Sequence, residues 1–226
     1  GQKKIKTYLL KSAKARNKEI LDLILENNPY ILRRREGPWN LGDHPKFEYR
    51  NIFNNIIMNT EYLNGLNPVN KYPKIYYQPK KILGLNNAIV SDLNSITVSY
   101  KEHKTKDIIR GIKKNFPNKD LILLNLKDNL VDINKKKQNK FFTEILQVRN
   151  IFHYCDILNS AFGYLSFCSG GSQLSAAIKA HSNEKLESLC LIDQEVYNFQ
   201  EKKGIYLFDN INYLKMKDSI LEWKPH

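Results

Sequence analysis

FGYLSFCSGGSQLSAAIKA, residues 162–180, is the stretch of sequence that decides the fold. Its first part, residues 163–168, is a short apolar run of the kind found in buried strands. Two glycines follow, and Ser172 is then placed to act as the N-cap of a helix of small residues that ends near Ala180. A strand, a glycine turn and a helix in this order predict one unit of an α/β protein.

Strand and helix patterns alternate on both sides of this unit. The predicted strands of the second half cover residues 95–100, 121–125, 141–145, 163–168, 189–192 and 205–208. The predicted helices cover residues 105–115, 147–159, 172–180 and 211–222. This alternation favours a parallel, doubly wound sheet.

The first half of the chain repeats the alternation on a smaller scale. Residues 5–10 are compatible with a strand, residues 17–26 carry an apolar helical stripe, and residues 29–32 are expected to be extended after Asn28. An amphipathic helix is predicted over residues 47–62, and the three prolines within residues 67–84 mark a crossover. We therefore expect a small or incomplete N-terminal α/β subdomain, residues 1–79, and a C-terminal Rossmann-like subdomain, residues 80–226.

The composition is strongly basic. The 226 residues carry a formal net charge of +13, which attracts polyanions such as nucleic acid, anionic membrane surfaces and phosphorylated small molecules. The basic residues are spread along the chain in short groups, of which Arg33 to Arg35 is the densest in guanidinium. A nucleic-acid-binding protein more often concentrates them on one recognition element, so this spread argues against nucleic acid as the partner.

Two further observations bear on the location of the protein. No run approaches the roughly 18–20 apolar residues that a membrane-spanning helix needs, and the first residues lack the apolar core of a signal peptide. Cys155, Cys168 and Cys190 form no CxxC pair, which predicts buried free thiols. We expect a cytoplasmic protein, with peripheral contact at the inner face of an anionic membrane as an additional possibility.

The turn at Ser169 to Ser172 is the predicted ligand site. Unpaired N–H groups and the positive end of the dipole at a helix start favour an anion, and the glycines allow a ligand to approach the backbone closely. In an open α/β sheet, ligands bind at the carboxyl ends of the strands, where this turn is expected to lie. No Gly-Lys-Ser/Thr or GxGxxG pattern is present here, so the site is neither a Walker loop nor a dinucleotide fingerprint.

The same residues resemble a known family. Asp156-Ile157-Leu158, the strand from Tyr164 to Phe167 and the run Ser169-Gly170-Gly171-Ser172-Gln173-Leu174 are similar to the C-terminal nucleotide-sugar site of GT-B glycosyltransferases, especially the heptosyltransferase-like group. The sequence departs from that group at Cys168, where an acid is common, and at Gln173, near a position often held by histidine. The N-terminal loop that supplies the catalytic base in that group has no match before Tyr8.

The resemblance implies a GT-B-like fold and a set of binding residues. Ser169, Gly170, Gly171, Ser172 and Gln173 would hold the nucleotide-sugar. Lys101 and Lys104, just beyond a predicted strand, would approach its diphosphate, and Glu144 would reach the ribose by analogy with the family.

A transfer reaction also needs a base for the acceptor hydroxyl. Asp43 and His44, in a loop of the first half, are the candidates for this role. No pair of acids at DxD spacing lies in a suitable loop, so the sequence predicts neither a metal nor another cofactor.

The leading interpretation is a glycosyltransferase that moves a sugar from a nucleotide-sugar to a surface glycan or a lipid-linked acceptor. Two alternatives stay open at this point. One is a degenerate GT-B-like domain with a binding or scaffolding role, and the other is a basic nucleic-acid-binding protein.

Overall fold

Two sheets organise the chain in the computed structural model, which describes residues 5–9, 18–25, 28, 31–36, 52–63, 65–93, 105–126, 141–203, 207–217 and 220–222. The small sheet pairs β1 (Ile5–Leu9) with β2 (Ile31–Glu36) in parallel. The large sheet consists of β3 (Ala88–Asp92), β4 (Asp120–Asn125), β5 (Glu144–Gln147), β6 (Gly163–Phe167), β7 (Glu187–Asp193), β8 (Asn212–Lys217) and β9 (Ile220–Glu222).

Helices connect most of these strands. Their bounds are α1 (Lys18–Leu25), α2 (Ile56–Leu63), α3 (Thr105–Asn115), α4 (Ile151–Ser160), α5 (Gly170–His181) and α6 (Gln194–Lys203).

The strand order of the large sheet is β5-β4-β3-β6-β7-β8-β9. All neighbouring pairs from β5 to β8 are parallel, and only β9 is antiparallel to its neighbour. Numbered by their position in the chain, the six parallel strands follow the order 3-2-1-4-5-6, which is that of the Rossmann fold. The prediction of an α/β fold with a doubly wound parallel sheet is confirmed.

Both faces of the large sheet are covered, because its strands are apolar on both sides. Val90 and Tyr164 belong to the core cluster that includes residues of α4 and α5, whereas Ile89 and Leu165 belong to the cluster that includes residues of α3. Every residue of β3 is buried. The two central strands, β3 and β6, are therefore enclosed by helices on each side.

The helix predicted over residues 47–62 begins later than expected. The Asn55 side chain accepts hydrogen bonds from the N–H groups of Ile57 (3.0 Å) and Met58 (3.1 Å), which fixes the start of α2 at Ile56. Ile52 and Phe53 are not helical, and their N–H groups donate to the buried Asn59 side chain instead. Residues 47–51 lie outside the described ranges.

The end of the chain is also corrected. Residues 211–222, predicted as a helix, contain the antiparallel pair β8 and β9. Leu214 and Met216 are buried while Tyr213 and Lys215 are only half-buried, and this alternation has the period of a strand. The strand predicted over 205–208 is not seen at residues 207 and 208, and the helix α6 had not been predicted.

One strand was missed and two boundaries differ from expectation. The first strand of the large sheet, β3 at Ala88–Asp92, was not predicted. The strand predicted over 95–100 lies outside the described residues. The strand predicted over 141–145 occurs as Glu144–Gln147, and the helix predicted over 147–159 begins at Ile151.

The extended segment of residues 75–82 packs against α4. Asp156 accepts hydrogen bonds from the Tyr77 hydroxyl (2.9 Å) and the Lys80 N–H (2.7 Å), and the Ser160 hydroxyl accepts one from the Ile82 N–H (2.7 Å). The division of the chain between residues 79 and 80 stays a prediction.

Candidate functional site

The candidate site lies where the strand order of the large sheet reverses. From β3 the chain builds outward through β4 to β5, and from β6 it builds the other way through β7 to β8. In open α/β sheets, ligands bind in the crevice at the carboxyl ends of the two strands that flank such a reversal. Asp92 ends β3, and α5 begins three residues after Phe167 ends β6.

The start of α5 is closed by a capping box. Ser169 is the N-cap, and its side chain accepts a hydrogen bond from the Gly171 N–H (3.3 Å). The Ser172 hydroxyl accepts one in return from the Ser169 N–H (3.2 Å). The prediction that Ser172 is the N-cap is therefore wrong by three residues, and both glycines belong to the first turn of the helix rather than to the turn before it.

The capping box leaves few donors for a ligand. The Ser169 carbonyl oxygen accepts hydrogen bonds from the N–H groups of Ser172 (3.1 Å) and Gln173 (3.3 Å), and the Gly171 N–H is bound to the Ser169 hydroxyl. Within the described ranges, the Gly170 N–H has no hydrogen-bond partner. Of the unpaired N–H groups expected at this helix start, the described residues retain that of Gly170. The positive end of the helix dipole adds to its attraction for an anion.

The two glycines have different surroundings. A Cβ atom added to Gly170 would meet nothing within 4 Å, and the residue is exposed. A Cβ atom added to Gly171 would collide with the Tyr164 hydroxyl and lie 3.0 Å from that of Tyr154. Gly170 is open to a ligand, whereas packing explains Gly171 without one.

A buried polar cluster lies beneath this turn. The Tyr154 hydroxyl donates a hydrogen bond to the Asp92 carboxylate (2.7 Å) and contacts the Tyr164 hydroxyl at 2.6 Å. Because the Tyr154 proton is directed at Asp92, Tyr164 is the donor in the contact between the two phenols. Burial, reinforced by the charge of Asp92, raises the pKa of both tyrosines well above its usual value, so both stay neutral donors.

Sequence reasoning missed this cluster. Asp92 lies 62 residues before Tyr154 in the chain, and the only local signal is an acid that follows the apolar run Ala88-Ile89-Val90. The pairing of β3 with β6, which sets Asp92 opposite Ser166, brings the cluster together.

The other predicted site residues divide into three groups. Gln173 is half-buried in the first turn of α5. Glu144 is exposed in β5, which is separated from β6 by β4 and β3, so the structure does not bring it to the turn. Lys101 and Lys104, and the proposed catalytic pair Asp43 and His44, lie outside the described residues.

Two searches of the described part of the chain gave negative findings. No group of three or more His, Cys, Asp or Glu side chains there is placed to hold a metal ion. No helix in the same ranges has the length and apolar character required to cross a membrane.

Fold and site together define an α/β protein with a Rossmann-type strand order and a helix start that is open to an anion at one residue. No protein-family model matches the sequence, and no curated protein matches it either. Among solved structures, the chain is similar to the E. coli heptosyltransferase WaaC with ADP, at 14% identity and a TM-score of 0.49. The match covers 71% of this chain and 48% of the E. coli chain, so this chain spans about half the length of that protein. The assignment of the fold class rests on the strand order described above.

Proposed function

We propose that this protein is a glycosyltransferase that binds a nucleotide-sugar with its diphosphate at the first turn of α5. The observation that carries the proposal is the exposed Gly170, whose N–H group has no hydrogen-bond partner among the described residues, at the reversal point of a Rossmann-type sheet. The resemblance of residues 169–174 to the nucleotide-sugar site of GT-B enzymes supplies the class of ligand.

The proposal gives each residue of the turn a role. Ser169 and Ser172 hold the backbone in the shape that exposes the Gly170 N–H group, and Gln173 contacts the sugar or the diphosphate from the same turn. Lys101 and Lys104 follow the central strand β3 along the chain and neutralise the leaving diphosphate. For Glu144 to bind the ribose, the nucleotide must extend across β3 and β4.

The chemistry in this proposal is an inverting transfer without a metal. Asp43 or His44 removes the proton from the acceptor hydroxyl while the helix start and the lysines stabilise the departing diphosphate. The acceptor is a surface glycan or a lipid-linked sugar. The charge of +13 suits an anionic acceptor or peripheral contact with an anionic membrane from the cytoplasmic side.

The deciding experiment compares two substitutions at one exposed position. Gly170→Glu places a negative charge at the helix start, where it stabilises the fold by about 0.3–1 kcal/mol but repels a diphosphate. Gly170→Gln has nearly the same shape without the charge. The midpoint of thermal unfolding is measured with UDP-, GDP-, ADP- and CMP-sugars, since a ligand at 100 times its Kd stabilises the fold by about 2.7 kcal/mol.

We expect one of these nucleotide-sugars to raise the unfolding midpoint of the unsubstituted chain and of Gly170→Gln, but not that of Gly170→Glu. Equal responses in the two variants would remove Gly170 from the site. Binding without transfer to any acceptor would support the degenerate, binding-only alternative. A salt-dependent response to RNA or DNA alone would support the nucleic-acid alternative.

A further inference from the structure

A cleft lies between α6, the strand β8 and the segment around α2. Its volume is about 530 Å³, which is within the range of pockets that bind small molecules. Its lining comes from three parts of the chain, which are residues 53–58 together with Lys71, the helix α6, and the stretch from residue 207 to residue 215. The residues of the predicted nucleotide-sugar turn, 169–173, do not line it.

The cleft and that turn lie toward opposite edges of the large sheet. The turn follows the carboxyl end of β6, whereas the cleft extends to residues 207–212, which precede and begin β8. β6, β7 and β8 are parallel, so their amino ends lie at one edge of the sheet and their carboxyl ends at the other. The cleft is therefore separate from the proposed diphosphate site.

One wall of the cleft consists of two tyrosines and a lysine. The rings of Tyr197 and Tyr213 meet edge to face with their centroids 5.8 Å apart, and the Lys215 ammonium lies 3.8 Å from the centroid of the Tyr197 ring. The Tyr197 hydroxyl donates to Glu201 (3.3 Å), and the Tyr213 hydroxyl accepts from the Phe208 N–H (3.0 Å). Burial raises the pKa of both phenols, so this wall presents neutral aromatic rings in fixed positions.

A second wall comes from the residues on either side of α2. The Phe53 N–H donates to the buried Asn59 side chain (2.9 Å), and the Asn55 amide donates to the Lys71 carbonyl oxygen (2.8 Å). Asn54 has a φ of 51°, in the left-handed region that asparagine adopts more readily than most residues. Asn54 and Lys71 are exposed residues of this wall, and hydrogen bonds hold the backbone around them.

The charges of the lining cancel. Its lysines are Lys71 and Lys215, and its acids are Glu201 and Asp209. Asp209 accepts a hydrogen bond from the Tyr72 hydroxyl through Oδ1, while its Oδ2 and the Lys71 ammonium have no partner among the described residues. A diphosphate or a nucleic acid in this cleft would meet two carboxylates, so the lining does not favour a polyanion.

We propose that this cleft binds a short, uncharged saccharide. Sugar hydroxyls both donate and accept hydrogen bonds, which suits a lining of ammonium, amide and carboxylate groups, and the C–H faces of a sugar ring pack on aromatic rings. The inference goes beyond the proposed function and does not depend on it, because it rests on the lining of a cleft that lies away from the diphosphate turn.

Binding to the unsubstituted full chain is measured first, by saturation-transfer NMR and titration calorimetry. The neutral probes are maltose, lactose, sucrose and chitobiose, and the charged probes are glucuronic acid and inorganic phosphate. We expect at least one neutral disaccharide to bind, and to bind more tightly than either charged probe. Failure of all four neutral probes, or tighter binding of a charged one, would overturn the proposal.

Two substitutions at exposed positions then locate the bound sugar. Asn54→Gly removes an amide but keeps a residue that accepts the left-handed backbone, and Lys71→Met removes an ammonium but keeps most of the side chain. Each is expected to raise the Kd of the disaccharide about 2–12-fold, as the loss of one hydrogen bond does. Lys185→Met is the matched control, because Lys185 is exposed and does not line the cleft. An unchanged Kd in both cleft variants, or an equal increase in the control, would contradict the assignment.

Gly170→Glu separates this inference from the proposed function. This variant is expected to lose the response to a nucleotide-sugar and to bind the disaccharide with an unchanged Kd. Loss of disaccharide binding in Gly170→Glu would place the sugar at the start of α5 and overturn the second site. Disaccharide binding that depends on Asn54 and Lys71, in a chain that responds to no nucleotide-sugar, would support the cleft and contradict the proposed function.

Discussion

The structural role of a glycine depends on its surroundings, as Gly170 and Gly171 show. Gly170 faces open space, whereas the first side-chain atom added to Gly171 would lie within the volume of the Tyr164 hydroxyl. Neither glycine has the positive φ that is found at Gly65 and Gly84, so backbone strain explains neither of them. The small size of Gly171 is required by the buried tyrosine pair.

A double-mutant cycle tests this explanation. Gly171→Ala is expected to lower the free energy of unfolding by about 1–3 kcal/mol, because overpacking a buried contact forces its neighbours to move. The same substitution in a Tyr164→Phe background is expected to cost less than half as much, because the colliding hydroxyl is absent. Urea denaturation of the four proteins gives the coupling energy.

Gly170→Ala is the matched control, and its free energy of unfolding is expected to stay equal to or slightly above that of the unsubstituted chain. Equal losses for Gly171→Ala in the two backgrounds would contradict the role of Tyr164.

At the scale of elements, polar side chains fix the starts of α2 and α5. Asn55 closes the start of α2, and the pair of Ser169 and Ser172 closes that of α5. In each case the cap decides which part of an apolar stretch becomes helical. Hydrophobic periodicity locates the stretch but not its first residue, because the cap satisfies donors that periodicity does not reveal.

Asn55 offers a direct test of this point. Asn55→Ala is expected to reduce the free energy of unfolding by about 0.5–2 kcal/mol, because two N–H groups in the first turn of α2 lose their acceptor. Asn55→Asp keeps the acceptor for both N–H groups and loses only the hydrogen bond that the Asn55 amide donates to the Lys71 carbonyl oxygen (2.8 Å), so it is expected to lose less than Asn55→Ala. Thermal and urea unfolding measure both variants, and equal losses would show that the cap is not the cause.

The elements that were predicted and those that were missed differ for a physical reason. The helix over 105–115 was predicted with its observed bounds, because Ile108, Ile109 and Ile112 form one apolar face. β3 was missed because five residues buried on both faces carry no period. Residues 211–222 were misassigned because Ile211, Leu214 and Leu221 also fall at helical spacings in the sequence.

The backbone of the candidate site could be predicted from the sequence, but its side-chain contacts could not. The order of strand, glycines and helix in residues 163–180 indicated a helix start at the carboxyl end of a strand, which the structure confirms. The Asp92 cluster depends on the pairing of β3 with β6, and no local segment of the sequence reveals that pairing.

At the scale of the whole molecule, Asp156 links residues that precede the large sheet to its helical layer. Its carboxylate accepts two hydrogen bonds from the segment of residues 75–82, and Tyr77 of that segment stacks edge-on against Phe152 at 5.0 Å. Asp156 shares this attachment with Asn159, whose amide donates to the Pro79 carbonyl oxygen (3.1 Å), and with Ser160, which accepts from the Ile82 N–H (2.7 Å).

Limited proteolysis measures this attachment. Asp156→Ala is expected to open the segment, so that trypsin cleaves after Lys80 or Lys81 at least several-fold faster than in the unsubstituted chain. Asp156→Asn keeps an oxygen acceptor for both hydrogen bonds and is expected to be cleaved at nearly the original rate. Equally raised cleavage rates for Ala and Asn would show that the carboxylate charge, rather than the hydrogen bonds, holds the segment. Unchanged rates in both variants would show that the segment does not need Asp156.

The central position of β3 also affects how the protein is made on the ribosome. β3 is synthesised before both strands that flank it, and its partner Gly163 follows Ile89 by 74 residues, a delay of roughly 4–15 seconds at typical rates of translation. During that interval an apolar strand has at least one edge without its native partner. Each new chain thus passes through a stage at which it is prone to aggregation, and slower translation between residues 93 and 163 would prolong that stage.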